Sequence, residues 1–323
     1  RDVYGILIEG LKRLEYRGYD SAGLSLIHNG NINTQKTIGK VIDLENLFGD
    51  SLPFGTVGIA HTRWATHGVP SSINSHPHTS GPISVVHNGI IENHSELKKE
   101  LVKQGTKFSS NTDSEVIAHL INLNLCTSKS IREAVTKALT RLDGAYAICV
   151  ISKDDPGKII GARSGSPLVV GLGIGENFMA SDQMALRQVT DRFVYLEEGD
   201  VAEVTKEDFS IFNEDGVIVE RDVTQINEVD QSSEKGEYKH FMEKEIYEQP
   251  EAVINTLNGR VSGDDVLDNI FGLGSSEIFK KVKRIQIVAC GTSLHAGRVA
   301  ANWFSAISEL PTQTDYASEY RYR

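Results

Sequence analysis

The sequence predicts a mixed α/β protein in two parts: a sandwich of sheets flanked by helices, and then the opening unit of a parallel α/β domain. In the first part, apolar runs of strand length precede consecutive helical segments and then further strands, which differs from an alternating strand–helix wind. A stretch of Gly, Ser and charged residues at 228–237 is typical of a linker. A buried-type strand at 284–289, a tight turn and a helical segment at 293–307 follow it, as at the start of a parallel α/β domain.

The first elements follow from apolar spacing. Residues 3–14 have the spacing of an amphipathic helix, and residues 23–28 have the pattern of a short strand. The apolar runs at 56–61 and 83–87 predict buried strands, each of which leads into a polar motif.

Capping boxes, in which a polar N-cap residue is followed three positions later by Glu, predict the central helices. The pairs are Asn93 with Glu96, Thr112 with Glu115, and Ser130 with Glu133. The first helix is expected at 95–104, the second runs to about residue 125 with Asp113 in its first turn, and the third ends at 143–144. Strands are expected at 145–152, 158–162, 167–172, 193–196 and 200–205, with a hairpin turn at 213–216; in the second part a helix is expected at 241–253.

Length and composition limit the function. The chain has 323 residues, 39% hydrophobic and 24% charged, which is typical of a globular protein with room for two domains. Its net charge of −11 argues against a nucleic-acid partner. Since there is no membrane-length apolar run and no signal-peptide pattern, we expect a cytoplasmic protein without membrane contact. The cysteines, Cys126, Cys149 and Cys290, lack metal or disulfide spacing, which fits a reducing compartment.

Three polar motifs in the first part suggest a site for a free amino acid. They are HTRWATHG at 61–68, VVHNGIIEN at 85–93 and NTDSEV at 111–116. Arg63 offers a planar fork for an α-carboxylate, and Asp113 offers an anion for an α-ammonium. The motifs also supply the amides and backbone N–H groups that can polarise a side-chain carbonyl.

The dipeptide Asn88-Gly89 is predicted to form a turn at a strand end, which directs the Asn88 amide and the Gly89 N–H outward to an oxyanion. An ordinary tight turn is the structural alternative. Likewise, Asp113 could serve only as an acid at a helix N-terminus, and Arg63 with Trp64 could form only a surface stack. The concentration of these groups at strand ends favours a binding site.

The histidines raise the alternative of a metal hydrolase. Six of the ten lie between His61 and His94. They lack the spacing of metal ligands, and His76 and His78, on either side of Pro77, would point apart in an extended segment. We therefore expect no metal ion.

The chain resembles a known family over essentially its whole length. The motifs of the first part, in order, resemble the glutaminase half of the glutamine:fructose-6-phosphate amidotransferases, the glucosamine-6-phosphate synthase family: EYRGYDSAG, HTRWATHG, NSHPH, HNGIIEN, NTDSE and LDGAYA. Three later motifs resemble the linker and the start of the family's sugar isomerase part: HFMEKEIYEQP, VACGTSLHAG and ASEYRYR. The resemblance implies an N-terminal-nucleophile glutaminase of αββα architecture at 1–225, a linker at 226–248 and an incomplete sugar isomerase (SIS) domain at 249–323.

The resemblance also implies roles for individual residues. Arg63 would bind the carboxylate of glutamine, Asp113 its amino group, and Asn88 with Gly89 would form the oxyanion hole. The remaining implied residues are Trp64, Thr66 and His67 on a loop that closes over glutamine, His76 as its support, and Thr292 with Ser293 at the start of a sugar-phosphate pocket. At Thr292 and Ser293 the local pattern agrees, because a strand turning through Gly291 into a helix presents free N–H groups to an anion.

The implied activity is synthesis of glucosamine 6-phosphate from fructose 6-phosphate and L-glutamine, without a cofactor, by a homodimer when full length. The family's nucleophile is a cysteine at residue 1, whereas this chain begins Arg1-Asp2-Val3. We therefore expect an internal fragment that lacks the nucleophile, its strand and most of the isomerase part, and that is inactive. The alternatives are a catalytically silent module that binds glutamine or a sugar phosphate, and an amidotransferase of another pathway, against which residues 290–297 argue.

Overall fold

The computed structural model describes residues 2–49, 52–64, 68–226, 238–257, 261–262, 265–266, 275–320 and 322. The chain divides into two compact units, Arg1–Glu234 and Lys235–Arg323. Residues 227–237 of the predicted linker lie outside the described residues, so the predicted domain bounds stay a prediction. Among the described residues, no helix combines the length and apolar character needed to cross a membrane.

The first unit contains the predicted helices and strands in the predicted order, together with elements that were not predicted, among them a strand at Asn31–Ile38 and a helix at Val41–Asn46. Its helices are α1 (Tyr4–Leu14), α2 (Val41–Asn46), α3 (His94–Lys103), α4 (Glu115–Leu125) and α5 (Ile131–Leu139). Its strands are β1 (Ser21–His28), β2 (Asn31–Ile38), β3 (Val57–Arg63), β4 (His78–Ser80), β5 (Ile83–Ile91), β6 (Gly144–Ser152), β7 (Asp155–Ser164), β8 (Val169–Leu172), β9 (Asn177–Ala180), β10 (Arg192–Tyr195), β11 (Val201–Thr205), β12 (Phe209–Phe212), β13 (Ile218–Val219) and β14 (Val223–Gln225). Short 3₁₀ helices occupy Glu15–Arg17 and Gln183–Leu186.

The strands of this unit form three antiparallel sheets. The strand orders are β2-β1-β3, β14-β10-β8-β9 and β13-β12-β11-β7-β6-β5-β4. In the first, Ser21 of β1 pairs with Arg63 of β3, and in the last, Asn88 of β5 pairs with Ala147 of β6. The register therefore sets Arg63 and Asn88 on strands of two different sheets.

Three clusters of buried hydrophobic side chains pack the helices and sheets of this unit together. The first packs α1 and α2 on β1, with buried residues that include Ile8, Leu11, Leu24, Leu26 and Leu44. The second lies between the sheets and includes Ile27, Ile59, Val86, Ile151 and Val170. The third packs α3, α4 and α5 on the seven-stranded sheet and includes Val85, Leu97, Ile117, Ile121 and Val135. Helices, sheet, sheet and helices thus follow one another, which confirms the predicted αββα sandwich.

Two of the three predicted capping boxes are wrong. Asn93 makes no side-chain cap on α3 and instead bonds the backbone of residues 141 and 143. Helix α4 begins only at Glu115, so Thr112 does not cap it and Asp113 precedes it. The Ser130 cap is confirmed, because its hydroxyl accepts from the Glu133 N–H at 3.2 Å. Tertiary partners compete for side chains that a local pattern assigns to caps.

The second unit contains a parallel α/β arrangement. Its elements are α6 (Phe241–Leu257), β15 (Val261–Ser262), β16 (Asp265–Val266), α7 (Ser275–Phe279), β17 (Ile285–Ala289), α8 (Gly291–Ile307), β18 (Thr312–Tyr316) and α9 (Ala317–Tyr320). Strands β17 and β18 pair in parallel, with Ile285 opposite Thr312. Helix α8 connects them and buries Leu294 and Ala301, which confirms the predicted strand–turn–helix.

Candidate functional site

The first unit contains a cavity of about 870 Å³ that α1, β3, β5 and β6 help to line. Six of the predicted glutamine-site residues line it together: Arg63, Trp64, His76, Asn88, Gly89 and Asp113. The other two, Thr66 and His67, lie outside the described residues. The structure therefore brings together a guanidinium, a carboxylate and amide donors that are up to 50 positions apart in sequence.

The Arg63 guanidinium is buried at the end of β3 and held by oxygen atoms. Its Nη2 donates to the carbonyl of Gly68 at 3.0 Å, and its Nη1 lies 3.5 Å from Oδ1 of Asp20. The backbone N–H of Asp20 in turn donates to the Arg63 carbonyl at 2.8 Å. The sequence pattern does not indicate this role for Asp20, although the residue lies within the motif EYRGYDSAG.

Trp64 is the exposed member of the set, with 67% of its surface accessible. Its ring lies against Gly18, whose φ is +81°, and a Cβ at that position would overlap the indole. Only glycine therefore fits below the ring. The exposed indole therefore lies at the edge of the cavity and packs against Gly18.

Asp113 is fixed before its helix begins. Its Oδ2 accepts a hydrogen bond from the backbone N–H of Ile91 at 2.8 Å, and the residue is 3% exposed. The neighbouring Ser114 hydroxyl bonds Nδ1 of His87 at 2.8 Å. The start of α4 is thus tied to β5 by two side chains, which orients one carboxylate at the cavity.

The turn predicted at Asn88-Gly89 is wrong, because β5 continues through both residues to Ile91. The backbone N–H groups of His87 and Ile91 leave the edge of β5 and donate to side chains of His76 and Asp113. Since alternate residues of a strand direct their N–H groups to the same edge, Gly89 directs its N–H there as well.

Gly89 has φ +133°, and a Cβ there would overlap the carbonyl oxygen of Ala145. The strand therefore requires glycine at this position for steric as well as conformational reasons. Gly89 thus adopts an unusual backbone conformation without forming a turn, and the pairing of β5 with β6 continues through it.

Four histidines form a packed group beside Asn88. The rings of His61 and His76 stack with centroids 4.3 Å apart, and the ring of His78 meets that of His76 edge-on at 4.7 Å. Burial lowers the pKa of His61 to about 4 and that of His78 to about 3. Burial also lowers the pKa of His76 and His87, so these rings are neutral near pH 7.

The expectation that His76 and His78 point apart is wrong, because the backbone bends at His76 before β4 begins. Within the part of the chain that the structure describes, no three or more His, Cys, Asp or Glu side chains are arranged to hold a metal ion. The group is held instead by stacking and by hydrogen bonds to protein atoms.

The cysteines differ in their surroundings. Cys149 lies on β6, lines the cavity and is buried, and burial raises its pKa to about 12. Its thiol is therefore protonated near neutral pH, where a nucleophile needs the thiolate. Cys126, at the end of α4, and Cys290, in the second unit, are exposed.

The predicted sugar-phosphate residues lie in the second unit. Thr292 and Ser293 are exposed in the first turn of α8, directly after Gly291, whose φ is +57°. Their assignment stays a prediction from the sequence resemblance.

Comparison with known proteins gives the site a family context. Residues 61–188 match the glutamine amidotransferase domain family. The whole chain is 52% identical to a glutamine–fructose-6-phosphate aminotransferase (isomerizing) of Vibrio parahaemolyticus, and 54% identical to that of Pseudomonas putida. In both cases the alignment covers 100% of this chain and 53% of the relative, so the chain spans about half the length of the curated relatives it matches.

A solved structure supports the fold. The glutamine phosphoribosylpyrophosphate amidotransferase of B. subtilis, complexed with ADP and GMP, matches with a TM-score of 0.56 at 20% identity, over 97% of this chain and 63% of that one. At this identity the match concerns the fold alone, and it agrees with the sandwich described above.

Proposed function

We propose that the first unit binds L-glutamine and polarises its side-chain amide for hydrolysis. The premise is that residues 61–188 match the glutamine amidotransferase domain family, and that the whole chain is homologous to the glutamine–fructose-6-phosphate aminotransferases. The observation that carries the proposal is the shared cavity of Arg63, Asp113 and the pair Asn88 and Gly89.

The two charged side chains recognise the amino-acid end of the substrate. The Arg63 guanidinium presents a planar pair of donors to the α-carboxylate, while Asp113 accepts from the α-ammonium. Both side chains are buried, so each charge is poorly solvated and gains from an opposite charge on the ligand. A zwitterionic amino acid satisfies both at once.

The opposite end of the substrate faces the amide donors. When a thiolate attacks the carboxamide carbon, a C–S bond forms and the carbonyl oxygen becomes an oxyanion. The Asn88 side-chain amide and the Gly89 backbone N–H stabilise this charge. The proton that the thiol gave up is then transferred to the amide nitrogen, the C–N bond breaks, and ammonia leaves a thioester. Water finally cleaves the thioester to give glutamate.

We also propose that none of the three cysteines is the nucleophile. Cys149 is protonated, Cys126 ends a helix away from the cavity lining, and Cys290 belongs to the second unit. By the family resemblance the nucleophile is an N-terminal cysteine. These 323 residues alone are therefore proposed to release no ammonia.

For the complete enzyme we propose the family reaction: ammonia is transferred to fructose 6-phosphate, which becomes glucosamine 6-phosphate. Thr292 and Ser293 would contact the sugar phosphate, and the full-length protein would act as a homodimer without a cofactor. The homology to enzymes named for this transfer supports the proposal.

Ammonia release from L-glutamine tests the proposal. The extended chain is defined as these 323 residues preceded by a family N-terminal segment that begins with cysteine. We expect ammonia release by the extended chain, none by the 323 residues, and none when the added cysteine is replaced by serine. Glutamine binding by the extended chain without turnover would instead favour the catalytically silent module, and no binding would refute both.

A further inference from the structure

His61 contacts Asn88 across the two sheets of the sandwich. His61 lies on β3 and Asn88 on β5, and Nε2 of the ring is 2.9 Å from Oδ1 of the amide. Both residues line the cavity. This is a hydrogen bond between one side chain of the proposed oxyanion hole and a histidine that has been assigned no role.

The identity of the two atoms fixes the direction of the bond. A carbonyl oxygen such as Oδ1 only accepts, so Nε2 of His61 carries the hydrogen and donates. With Oδ1 held in this way, the Nδ2 end of the Asn88 amide is the end available to the cavity. That end carries the two hydrogens which an oxyanion requires.

The His61 ring is itself held in place by the neighbouring histidine. It stacks on His76 at 4.3 Å, and Nδ1 of His76 accepts the backbone N–H of His87 at 3.2 Å. The backbone of β5 thus fixes His76, His76 supports His61, and His61 orients the side chain of the residue that follows His87. This series of contacts therefore begins and ends on β5.

We propose that His61 is a positioning residue that holds the Asn88 amide with its N–H donors toward the substrate carbonyl. The inference rests on the proposed glutaminase function. Without the ring, the amide can rotate by half a turn, and its oxygen would then face the developing negative charge. Such a rotation weakens stabilisation of the transition state more than binding of the substrate.

Kinetics of the extended chain provide the first test. We expect His61→Leu and His61→Asn to lower kcat for ammonia release by about 10- to 100-fold, with KM for glutamine within about threefold. His61→Gln should restore much of the rate, because its side-chain nitrogen occupies the position of Nε2 and can donate to Oδ1. His28→Leu, on β1 of the same sheet and outside the cavity lining, is the matched control and should leave kcat unchanged.

The double variant distinguishes positioning from general damage. If His61 acts through Asn88, then His61→Leu combined with Asn88→Ala should be no slower than Asn88→Ala alone. Two fully multiplicative losses, an undiminished kcat in His61→Leu, or a failure of His61→Gln to exceed His61→Asn would overturn the proposal.

A spectroscopic test needs no activity. In the 323-residue chain labelled with ¹⁵N-histidine, long-range ¹H–¹⁵N spectra should show His61 as the Nε2–H tautomer, and Asn88→Ala should shift its Nε2 signal. The Nδ1–H tautomer would overturn the inferred bond. If the tautomer is as expected but the unaltered extended chain releases no ammonia, the proposed function fails while the His61–Asn88 contact stands.

Discussion

Asp113 and Ile91 are joined by a hydrogen bond of 2.8 Å from the backbone N–H of β5 to a carboxylate oxygen that lies just ahead of α4. The bond connects the proposed ammonium ligand with the strand that carries Asn88 and Gly89. The two ends of a bound glutamine would therefore be recognised by groups whose separation is set by one rigid strand.

The first prediction separates the two roles of Asp113. Asp113→Asn keeps an oxygen for the Ile91 N–H but removes the negative charge. In the extended chain we expect KM for glutamine to rise at least about tenfold. The free energy of unfolding should change by less than about 1 kcal/mol, because the hydrogen bond persists. Asp113→Ala should lose both, with about 1–3 kcal/mol less stability in urea titrations. An unchanged KM in Asp113→Asn would contradict the assignment.

The second prediction concerns the guanidinium fork. Arg63→Lys keeps the positive charge but removes the paired planar donors, so KM for glutamine should rise at least about tenfold while kcat falls less. Arg63→Ala should raise KM further. The control is Arg132→Lys, because Arg132 does not line the cavity and contacts Glu203, at an N–O distance of 3.8 Å, and the Phe212 ring. Equal KM values for Arg63→Ala and the unaltered chain would remove Arg63 from the carboxylate site.

Periodicity predicted the elements whose apolar residues dominate, such as α1, β6 and α8. It missed β2, because alternate residues of this edge strand are exposed and its sequence NINTQKTI is mostly polar. The cap predicted at Thr112 failed because its hydroxyl bonds Nε2 of His78 at 3.0 Å. Prediction from local sequence thus succeeds where the buried residues follow the periodicity of the helix or strand. It fails where a side chain forms a hydrogen bond with a residue that is distant in sequence.

The site could be predicted as a set of residue types but not as a geometry. The sequence predicted Arg63, Asn88 and Asp113 because residue types suited to binding an amino acid and polarising its side-chain amide are concentrated in three nearby motifs. The relation of His61 to Asn88 was not predictable, because it depends on how two sheets stack and joins residues 27 positions apart. Nothing in the string HTRWATHG indicates which of its side chains faces the other sheet.

The third prediction tests the oxyanion hole directly. Asn88→Ala removes one donor, and we expect kcat for ammonia release by the extended chain to fall by about 100-fold or more with little change in KM. Asn122→Ala is the control, because Asn122 donates to the Ser80 hydroxyl at 3.1 Å and does not line the cavity. Preserved turnover in Asn88→Ala would exclude the residue from the oxyanion hole.

The fourth prediction concerns the segment that carries His76. Nζ of Lys36 donates to the carbonyl oxygens of Ser75 at 2.9 Å, Pro77 at 3.2 Å and Ile73 at 3.4 Å. Lys36→Met leaves these oxygens without their charged donor, so the free energy of unfolding should fall by about 2–4 kcal/mol. Urea titration at constant m-value measures it. The exposed Lys103→Met should change it by less than about 0.5 kcal/mol, and equal effects of the two would contradict the role of Lys36.

The fifth prediction follows from the histidine group. Because burial lowers the pKa of His61 to about 4 and that of His78 to about 3, both rings stay neutral in the folded chain while they become protonated in the unfolded chain, where a histidine has a pKa near 6.5. Below that pH the unfolded state binds more protons, so stability decreases as the pH falls from about 6.5 to about 4. Each ring contributes up to about 1.4 kcal/mol per pH unit in that window.

Carboxylates also titrate at the acid end of this range. The informative quantity is therefore the difference in the pH dependence of the unfolding free energy between a histidine variant and the unaltered chain. His78→Leu should flatten the dependence of unfolding free energy on pH by about one proton between pH 6 and 5, measured by urea titration at each pH. His28→Leu, outside the histidine group, is the matched control. If His78→Leu leaves the slope unaltered, then His78 is protonated in the folded chain, and a neutral histidine group beside the proposed oxyanion donors would have to be abandoned.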